Sequence, residues 1–421
     1  MKKILYFILK ILAQTVVNKY QPKVIGITGS VGKTSAKKAI FCVLKNKFRV
    51  KQSTKNYNNE IGLPLTVLLW EHSPGKNIFK WFGLFIHALT LIFAREEKYP
   101  EILILEMGAD RPGDIKYLTS IAKPSIAVIT AIGQSHLEFF GTIENVLKEK
   151  ISILDSLNKD GLGIINSDDP LLRRTIGQIK TRLKTFGQNE DSDVRVLNVH
   201  LATRENQYGT SFKLSYRGAE VPMFIPEALG WQHAQAAAAG CAVGLSLGLN
   251  LIEIGEQLKE YVAEHGRSKL IVGIKNSWII DDTYNASPQS AAAVLNILHD
   301  MPINGRKIAV FGDMLELGSL SEEGHRKVGQ QIVELNIDYL FVIGERSRDI
   351  ARGAKEAGMI EDKIYHFAFT KEAGLFLQDR IKEDDVILVK GSRGSKMEQV
   401  VYEIMANPWE SKEVLVGPVD K

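Results

Sequence analysis

Short apolar runs alternate with helix-like segments in the first half of the chain. The runs occupy residues 23–28, 102–106, 126–130 and 163–166, and polar residues or glycine mark their ends. Brief apolar runs with this punctuation are typical of buried strands. After a glycine-rich turn, the first run is followed by a helical pattern over residues 33–44. The alternation predicts a parallel α/β sheet, with ligands expected beyond the carboxyl ends of its strands.

The same alternation restarts in the second half of the chain. Residues 194–225 predict short strands, and residues 228–262 predict an Ala-rich helix followed by a second helix. A polar, glycine-containing junction follows at residues 263–269. Beyond it the pattern predicts a helix from Ser290 and strands at residues 278–281, 307–311, 339–343 and 386–390.

These elements predict an α/β protein with two folded domains, which suits a chain of 421 residues. We place the central domain, with its parallel sheet, at residues 23–265. A smaller, Rossmann-like domain is expected at residues 266–421. Residues 1–22 are expected to form a short apolar or amphipathic helix.

Two apolar segments, residues 4–17 and 78–94, are each too short for a confident bilayer span. The first follows two lysines like the start of a signal peptide, but Lys10 interrupts it and no clear cleavage site follows. On a helix, polar and apolar side chains of this segment separate: Lys3, Lys10 and Gln14 against Ile4, Ile8, Ile11 and Leu12. Two alternatives stay open: these segments cover each other or the protein body, or they lie on a membrane surface.

Composition narrows the class of partner. The chain is 45% hydrophobic and 24% charged, as in ordinary globular proteins, and its net charge of +4 is too small and too spread out to indicate nucleic acid. Cys42 and Cys241 lie in apolar, helix-like stretches without metal-type spacing. We interpret both as buried hydrophobes in a reducing compartment, so we expect a cytoplasmic protein, with membrane association on the inner face as the alternative.

A phosphate-binding loop is predicted between the first strand and the first helix of the sheet. Its residues are Gly29, Ser30, Val31, Gly32, Lys33, Thr34 and Ser35. Glycines let backbone N–H groups approach phosphate oxygens, the lysine reaches the β- and γ-phosphates, and the threonine hydroxyl binds Mg²⁺. The strict Walker pattern has a further glycine where this chain has Ile27.

Two further side chains are candidates for the same site. Glu106 ends an apolar strand, where a carboxylate can bind Mg²⁺ or be a solvated acid. His136 follows the strand at residues 126–130, where a histidine is either a ligand or a loop hydrogen-bonding group.

These motifs, taken in order, resemble the Mur ligase family. The resemblance covers residues 23 to about 405 and rests on TGSVGKTS, NYNNEIGLP, EMGADRPGDI, TAIGQSHLEFFGT, NSDDP, DDTYNASPQS, VFGDMLELG and VKGSRGSKMEQV. Within the family, several of these motifs look like the branch that adds D-alanyl-D-alanine to UDP-MurNAc-tripeptide. The resemblance implies an ATP- and Mg²⁺-dependent amide ligase of peptidoglycan synthesis. Its substrates would be a peptidoglycan-precursor peptide and D-Ala-D-Ala, joined through an acyl phosphate.

The resemblance also assigns roles in the central domain. Lys33 and Thr34 would hold the phosphates and the first Mg²⁺, with Glu106 and His136 as metal ligands. Lys150 matches the lysine that the family carbamylates beside the second metal, although by itself it would be interpreted as a solvated helix residue. Asn58 and Asn59 would bind substrate.

In the second domain, Arg267 matches an arginine that approaches the γ-phosphate. The nucleotide motif corresponds to Asp282, Tyr284 and Asn285. Lys390, Ser392 and Arg393 match the loop for the amino-side substrate, where an arginine fork suits a carboxylate; the alternative is a plain strand-to-helix turn.

Two departures keep other functions open. The family usually has a glycine, x, histidine, asparagine sequence where this chain has Gly230-Trp231-Gln232-His233-Ala234, so adenine contacts are expected to differ. Enzymes of this branch carry an N-terminal domain for the UDP-sugar, whereas about 22 residues precede the first strand here. We therefore keep two alternatives: a Mur-type ligase for another peptide or polyglutamyl carrier, and a non-catalytic nucleotide-binding protein.

Overall fold

A computed structural model of the chain describes residues 2–53, 57–71, 73–94, 96–133, 137–315 and 317–419. It divides into two compact units. Unit 1 comprises residues 1–198, 212–223 and 234–261, and unit 2 comprises residues 199–211, 224–233 and 262–421. Both units alternate strands and helices, which confirms the predicted α/β class.

The first part of the chain supplies a parallel sheet and the helices around it. In chain order the elements are α1 Lys2–Tyr20, β1 Lys23–Thr28, α2 Lys33–Leu44, β2 Val50–Gln52, α3 Gly62–Val67, α4 Ile78–Phe93, β3 Ile102–Glu106, α5 Asp114–Ile121, β4 Ile126–Ile129, α6 Leu137–Phe140, α7 Ile143–Asp155, β5 Leu162–Asn166, α8 Pro170–Arg173 and β6 Leu183–Gly187. They are followed by β7 Val194–Arg204, β8 Gln207–Tyr216, β9 Ala219–Pro226, α9 Trp231–Ser246 and α10 Leu251–Leu258.

The order of this nine-stranded sheet runs from β2 through β3, β1, β4, β5, β6, β7 and β8 to β9. Strands β2 to β6 pair in parallel. Strand β1 lies between β3 and β4, with Ile27 beside Glu106 and Thr28 beside Ile129. The carboxyl ends of these three strands therefore share one edge, which is where open α/β sheets bind ligands.

Helices α1 and α4 pack against each other on unit 1. Leu9 and Val16 of α1 and Leu84 and Leu91 of α4 are buried in the same core cluster as strand β3. At the end of both helices, Lys19 donates to the carbonyls of Leu91 and Ile92, each at 2.9 Å. A cation in this position complements the partial negative charge of a helix C-terminus. No helix among the described residues is long and apolar enough to cross a bilayer.

Unit 2 contains a six-stranded sheet with helices on both faces. The elements are β10 Lys269–Val272, β11 Trp278–Asp282, α11 Pro288–Asp300, β12 Lys307–Gly312, α12 Ser321–Glu334, β13 Tyr339–Ile343, α13 Arg348–Glu356, β14 Ile364–Phe367, α14 Thr370–Arg380, β15 Val386–Lys390, α15 Glu398–Ile404 and α16 Ser411–Val414.

The strand order in unit 2 is β10-β11-β15-β12-β13-β14. Among the described strands of this sheet, only β10 and β11 pair antiparallel. Successive residues of β11 and β15 belong to different cores: Ile280 and Leu388 lie on one face, Ile279 and Ile387 on the other. Burial on both faces explains why these strands are continuous apolar runs in the sequence.

Candidate active site

The loop between β1 and α2 is shaped by two glycines. Gly29 has φ 143° and Gly32 has φ 87°, a region that side chains rarely enter. A Cβ on Gly29 would lie 2.1 Å from Thr130 Oγ1. Helix α2 starts directly after Gly32, and no side chain of the described residues caps it. Its first N–H groups are therefore available to an anion, as in phosphate-binding loops.

Lys33 folds back over this loop. Its Nζ donates to the carbonyl oxygens of Gly29 at 2.6 Å and Ser30 at 3.2 Å. The loop is also tied to the end of β4, because Ser30 N donates to Ala131 O at 2.7 Å. An ammonium group thus lies over the loop, where phosphate oxygens would bind. Val31 is exposed and Ser35 is buried.

Glu106 lies beside the loop, buried at 2% exposure. One carboxylate oxygen accepts from Thr34 Oγ1 at 3.2 Å, the other from Asn58 Nδ2 at 3.3 Å, and Lys37 forms an ion pair at 3.4 Å. Burial acts to raise the pKa of Glu106, but the charges of Lys37 and Lys33 and the two hydrogen bonds outweigh it and hold the pKa below its ordinary value. Glu106 is therefore an anion at neutral pH.

Lys37 is a site residue that the sequence reasoning missed. It is buried at 2% exposure and follows Lys33 by four residues on α2, so both lysines share one face of the helix. That spacing is a signal in the sequence. Its partner, Glu106, lies far away in the chain, and only the pairing of β1 with β3 brings the two together.

The Thr34 hydroxyl and the Glu106 carboxylate fit Mg²⁺, which is commonly held by one or two carboxylates together with substrate phosphates. No cluster of three or more His, Cys, Asp or Glu side chains capable of holding a metal ion occurs within the described ranges. This is compatible with Mg²⁺, which keeps waters and phosphate oxygens as ligands. The predicted ligand His136 lies outside the described residues.

Lys150, on α7, is buried at 3% exposure, so it is not a solvated helix residue. Its Nζ donates to Ala109 O at 3.2 Å. Burial, with a smaller contribution from the Lys33 charge, lowers the pKa of Lys150 to about 7. A large fraction of this amine is therefore neutral and nucleophilic near pH 7.

Asn58 and Asn59 line a cavity of about 430 Å³ in unit 1. Asn58 connects this cavity to the loop because it also binds Glu106. Unit 1 thus brings together Lys33, Thr34, Asn58, Glu106 and the unpredicted Lys37.

In unit 2, Asp282 and Lys390 form a buried ion pair across neighbouring strands β11 and β15. Lys390 Nζ also donates to Asn285 O at 2.8 Å, and Asp282 accepts from Ser268 N at 2.9 Å. The predicted nucleotide motif and the predicted amino-side lysine therefore belong to one hydrogen-bonded cluster. The Asn285 side chain accepts from Ala286 N at 2.9 Å.

Arg267 lies over the ring of Tyr284, 4.0 Å from its centroid, a cation–π arrangement. The fully buried His233 holds the backbone of Arg267, because the imidazole Nε2 lies 3.1 Å from Arg267 O. Burial lowers the pKa of His233 to about 4, so the ring is neutral. Asp281, which accepts from Gly266 N at 3.0 Å, has its pKa raised to about 6 by burial. His233 and Asp281 thus position the segment that carries Arg267.

Ser392 and Arg393 follow β15. Ser392 Oγ accepts from Leu315 N at 2.8 Å. Arg393 forms an ion pair with Glu398 at 2.5 Å and keeps 45% of its side chain exposed. The predicted arginine fork is thus occupied in part by an internal carboxylate.

A phosphate loop at the edge of a parallel sheet, followed by a second Rossmann-like unit, defines the class of ATP-binding α/β ligases. Residues 86–243 match the Mur ligase middle domain, and residues 266–393 match the Mur ligase glutamate ligase domain. The chain belongs to the Mur ligase family and is an ATP-dependent, ADP-forming ligase.

Individual relatives agree with this assignment. The UDP-N-acetylmuramoyl-tripeptide–D-alanyl-D-alanine ligase of Bacillus subtilis is 33% identical over 397 residues, covering 94% of this chain and 79% of the relative. The Escherichia coli ligase of the same name is 31% identical over 401 residues, covering 94% and 80%. The Thermotoga maritima MurF ligase, solved in complex with ADP, superimposes with a TM-score of 0.77 at 27% identity, covering 97% of this chain and 84% of that one.

Proposed function

We propose that this chain uses ATP to join D-alanyl-D-alanine to the terminal carboxylate of a peptidoglycan-precursor peptide of the UDP-MurNAc-tripeptide type. The observation that carries the proposal is the cluster in unit 1 in which Lys33 binds the phosphate loop while Thr34 and the buried Lys37 both contact the buried Glu106. This is a phosphoryl-transfer site with fixed charges. The relatives named above supply the substrate pair.

The reaction needs no protein nucleophile. An oxygen of the acceptor carboxylate attacks the γ-phosphorus, the bond to ADP breaks, and an acyl phosphate forms. The neutral amine of the dipeptide then attacks the acyl carbon, phosphate leaves with the former carboxylate oxygen, and the nitrogen releases one proton to solvent as the amide forms. Positioning and charge neutralisation are the main contributions of the protein in such transfers. Lys33, over the loop, is placed to neutralise the phosphoryl oxygens.

Thr34 and Glu106 would hold Mg²⁺, which when bound neutralises phosphate charge. We assign Lys150 as a lysine that adds CO2. Its neutral amine forms an N–C bond to the carbon of CO2 and releases a proton, which leaves a carbamate anion. This change of charge turns the buried cation into a carboxylate-like group beside Ala109. It also removes the repulsion between Lys150 and Lys33.

Unit 2 would bind the dipeptide and part of the nucleotide. Arg393 can offer its exposed guanidinium to the dipeptide carboxylate while Glu398 orients it. Arg267, held over Tyr284, is assigned to the γ-phosphate. Asp282 and Lys390 hold the strand ends that carry these loops.

We also propose peripheral membrane contact through residues 4–17 and 78–94. The support is the exposure of large apolar side chains on both helices. On α1 these are Ile4, Phe7, Ile8 and Ile11; on α4 they are Ile78, Phe79, Phe82, Ile86, Leu89 and Phe93.

The function is tested by supplying the purified chain with ATP, Mg²⁺, UDP-MurNAc-tripeptide and D-Ala-D-Ala, together and singly. We expect phosphate release and a new peptide product only when both substrates are present. ATP binding without turnover on this pair would overturn the substrate assignment. Phosphate release that ignores the peptide substrates would contradict a ligase.

A further inference from the structure

The cavity beside the phosphate loop has one wall made by the N-terminal helix. Tyr6, Phe7 and Lys10 of α1 face it from one side, and Asn58 and Gly108 face it from the other. Its volume of about 430 Å³ lies within the roughly 300–1,000 Å³ usual for small-molecule sites. Phe7 lines this cavity and is at the same time 61% exposed. The cavity therefore borders the outward face of α1.

The cavity also adjoins the predicted catalytic cluster. Gly108 N donates to Asn58 O at 2.8 Å, and the Asn58 amide donates to Glu106 at 3.3 Å. A Cβ on Gly108 would lie 3.1 Å from the Asn58 side chain, so a larger residue would crowd this junction. The cavity is also lined by the acidic residues Glu60, Asp110 and Asp114. A peptide bound in it would lie next to Asn58, which contacts Glu106.

Helix α1 is apolar on two sides: Leu9, Ala13 and Val16 are buried in the core, and a second apolar stripe faces outward. Lys10 donates to Ser120 Oγ at 2.7 Å and lies over the Tyr117 ring, 4.9 Å from its centroid. Gln14 donates to Ser120 O at 2.6 Å. The exposed side of the same helix carries Ile4, Phe7, Ile8 and Ile11. A helix that only covers a core in water has a polar outer face instead.

Helix α4 adds a second apolar stripe. Ile78, Phe79, Phe82, Ile86, Leu89 and Phe93 recur at helical spacing and are 46–83% exposed. Apolar exposure on this scale, on two helices that pack together, marks an interaction surface. Residues 74–94 contain no acidic residue, and Lys76 and Lys80 lie at the start of α4, next to its exposed apolar side chains. Apolar side chains with a lysine border suit an anionic lipid surface better than a protein partner, whose polar rim carries both signs.

Resting on the function proposed above, we infer that the acceptor peptide reaches this cavity on a lipid carrier, while the outward faces of α1 and α4 lie on an anionic membrane. The chain then acts on a membrane-held precursor. Phe7 joins the two surfaces, because it belongs both to the cavity and to the apolar face.

The test offers one acceptor peptide on two carriers to the full chain with ATP, Mg²⁺ and D-Ala-D-Ala. One carrier is UDP, in solution; the other is a polyprenyl pyrophosphate in vesicles of phosphatidylcholine with phosphatidylglycerol. The variant is the double substitution Phe79→Ser and Phe82→Ser, at positions 82% and 66% exposed and outside the cavity lining. We expect its kcat/KM to fall about tenfold or more on the lipid carrier and to stay unchanged on the soluble one.

Two controls accompany this variant. Phe369→Ser removes a phenylalanine of similar exposure, 64%, from unit 2 and is expected to change neither activity. Lys76→Glu with Lys80→Glu is expected to reduce sedimentation with the anionic vesicles, while vesicles of phosphatidylcholine alone bind the wild-type chain weakly.

The possible results distinguish a failure of this inference from a failure of the proposed ligase function. No turnover on either carrier would overturn the proposed function itself. Turnover on the UDP carrier that exceeds turnover on the lipid carrier, with the serine variant matching wild type on both, would overturn the inference and leave the function standing. Equal binding to anionic and neutral vesicles would contradict the role of the lysines.

Discussion

Replacing Lys33 with alanine is expected to lower kcat for ADP formation by roughly a hundred- to a thousandfold, the usual cost of removing one group that stabilises developing charge. The ammonium lies over the phosphate loop, bound to the carbonyls of Gly29 and Ser30. Without it the phosphoryl oxygens lose their nearest fixed cation on the loop. Steady-state kinetics, with ADP measured by a coupled assay, checks this.

The matched control is Lys47→Ala, just beyond the same helix. Its side chain is 47% exposed and pairs with Glu253 on the surface, so its loss should leave kcat unchanged. If Lys33→Ala retained more than about a tenth of wild-type kcat, the assignment of this loop to phosphate would be wrong.

Replacing Lys150 with methionine is expected to abolish ligation and to stabilise the fold. Methionine fills similar space without a buried amine. Native Lys150 has a pKa of about 7, against 10.5 for an ordinary lysine, so between these values the unfolded chain binds the extra proton. Wild-type stability therefore rises with pH across this window. Below about pH 7 both states carry the proton, and the cost of burying it is fully present.

The advantage of Lys150→Met should thus be largest below pH 7, about 2–5 kcal/mol, and shrink as pH rises toward 10.5. Urea unfolding in CO2-depleted buffer at about pH 6 and about pH 9 measures it. Lys148→Met, at an exposed position on the same helix, should show no such trend. A stability gain that is independent of pH, or an active Lys150→Met enzyme, would contradict the role given to this residue.

The strands that the sequence predicted best are those buried on both faces. The predicted bounds of β1, β3, β13 and β15 agree with the structure. An uninterrupted apolar run of this length is typical of a strand whose two faces are both buried. Strands β2 and β14, with sequences VKQ and IYHF, were not predicted. They are short and only partly buried, so their strand state depends on pairing with a neighbour. The boundary placed between residues 265 and 266 stays a prediction.

Local motifs located much of the candidate site, but not the partners of its side chains. The glycine loop, Thr34 and Glu106 were predicted, and the structure places them in contact. The role of Lys37 was not predicted, because its contact with Glu106 depends on tertiary packing. The Arg393–Glu398 ion pair was not predicted either, because it depends on the rotamers of the two side chains. The outward stripe of α1 could not be foreseen either, because it depends on Ser120 of α5 meeting Lys10 and Gln14.

The most direct test of the account follows one oxygen atom. An acceptor peptide whose terminal carboxylate carries a heavy isotope at both oxygens is turned over with ATP and D-Ala-D-Ala, and the released phosphate is analysed by mass spectrometry. An acyl phosphate intermediate predicts one heavy oxygen in each phosphate released, because phosphate leaves with the former carboxylate oxygen. Phosphate without the label would mean that water, and not the acceptor, had attacked ATP, and would contradict the ligase mechanism.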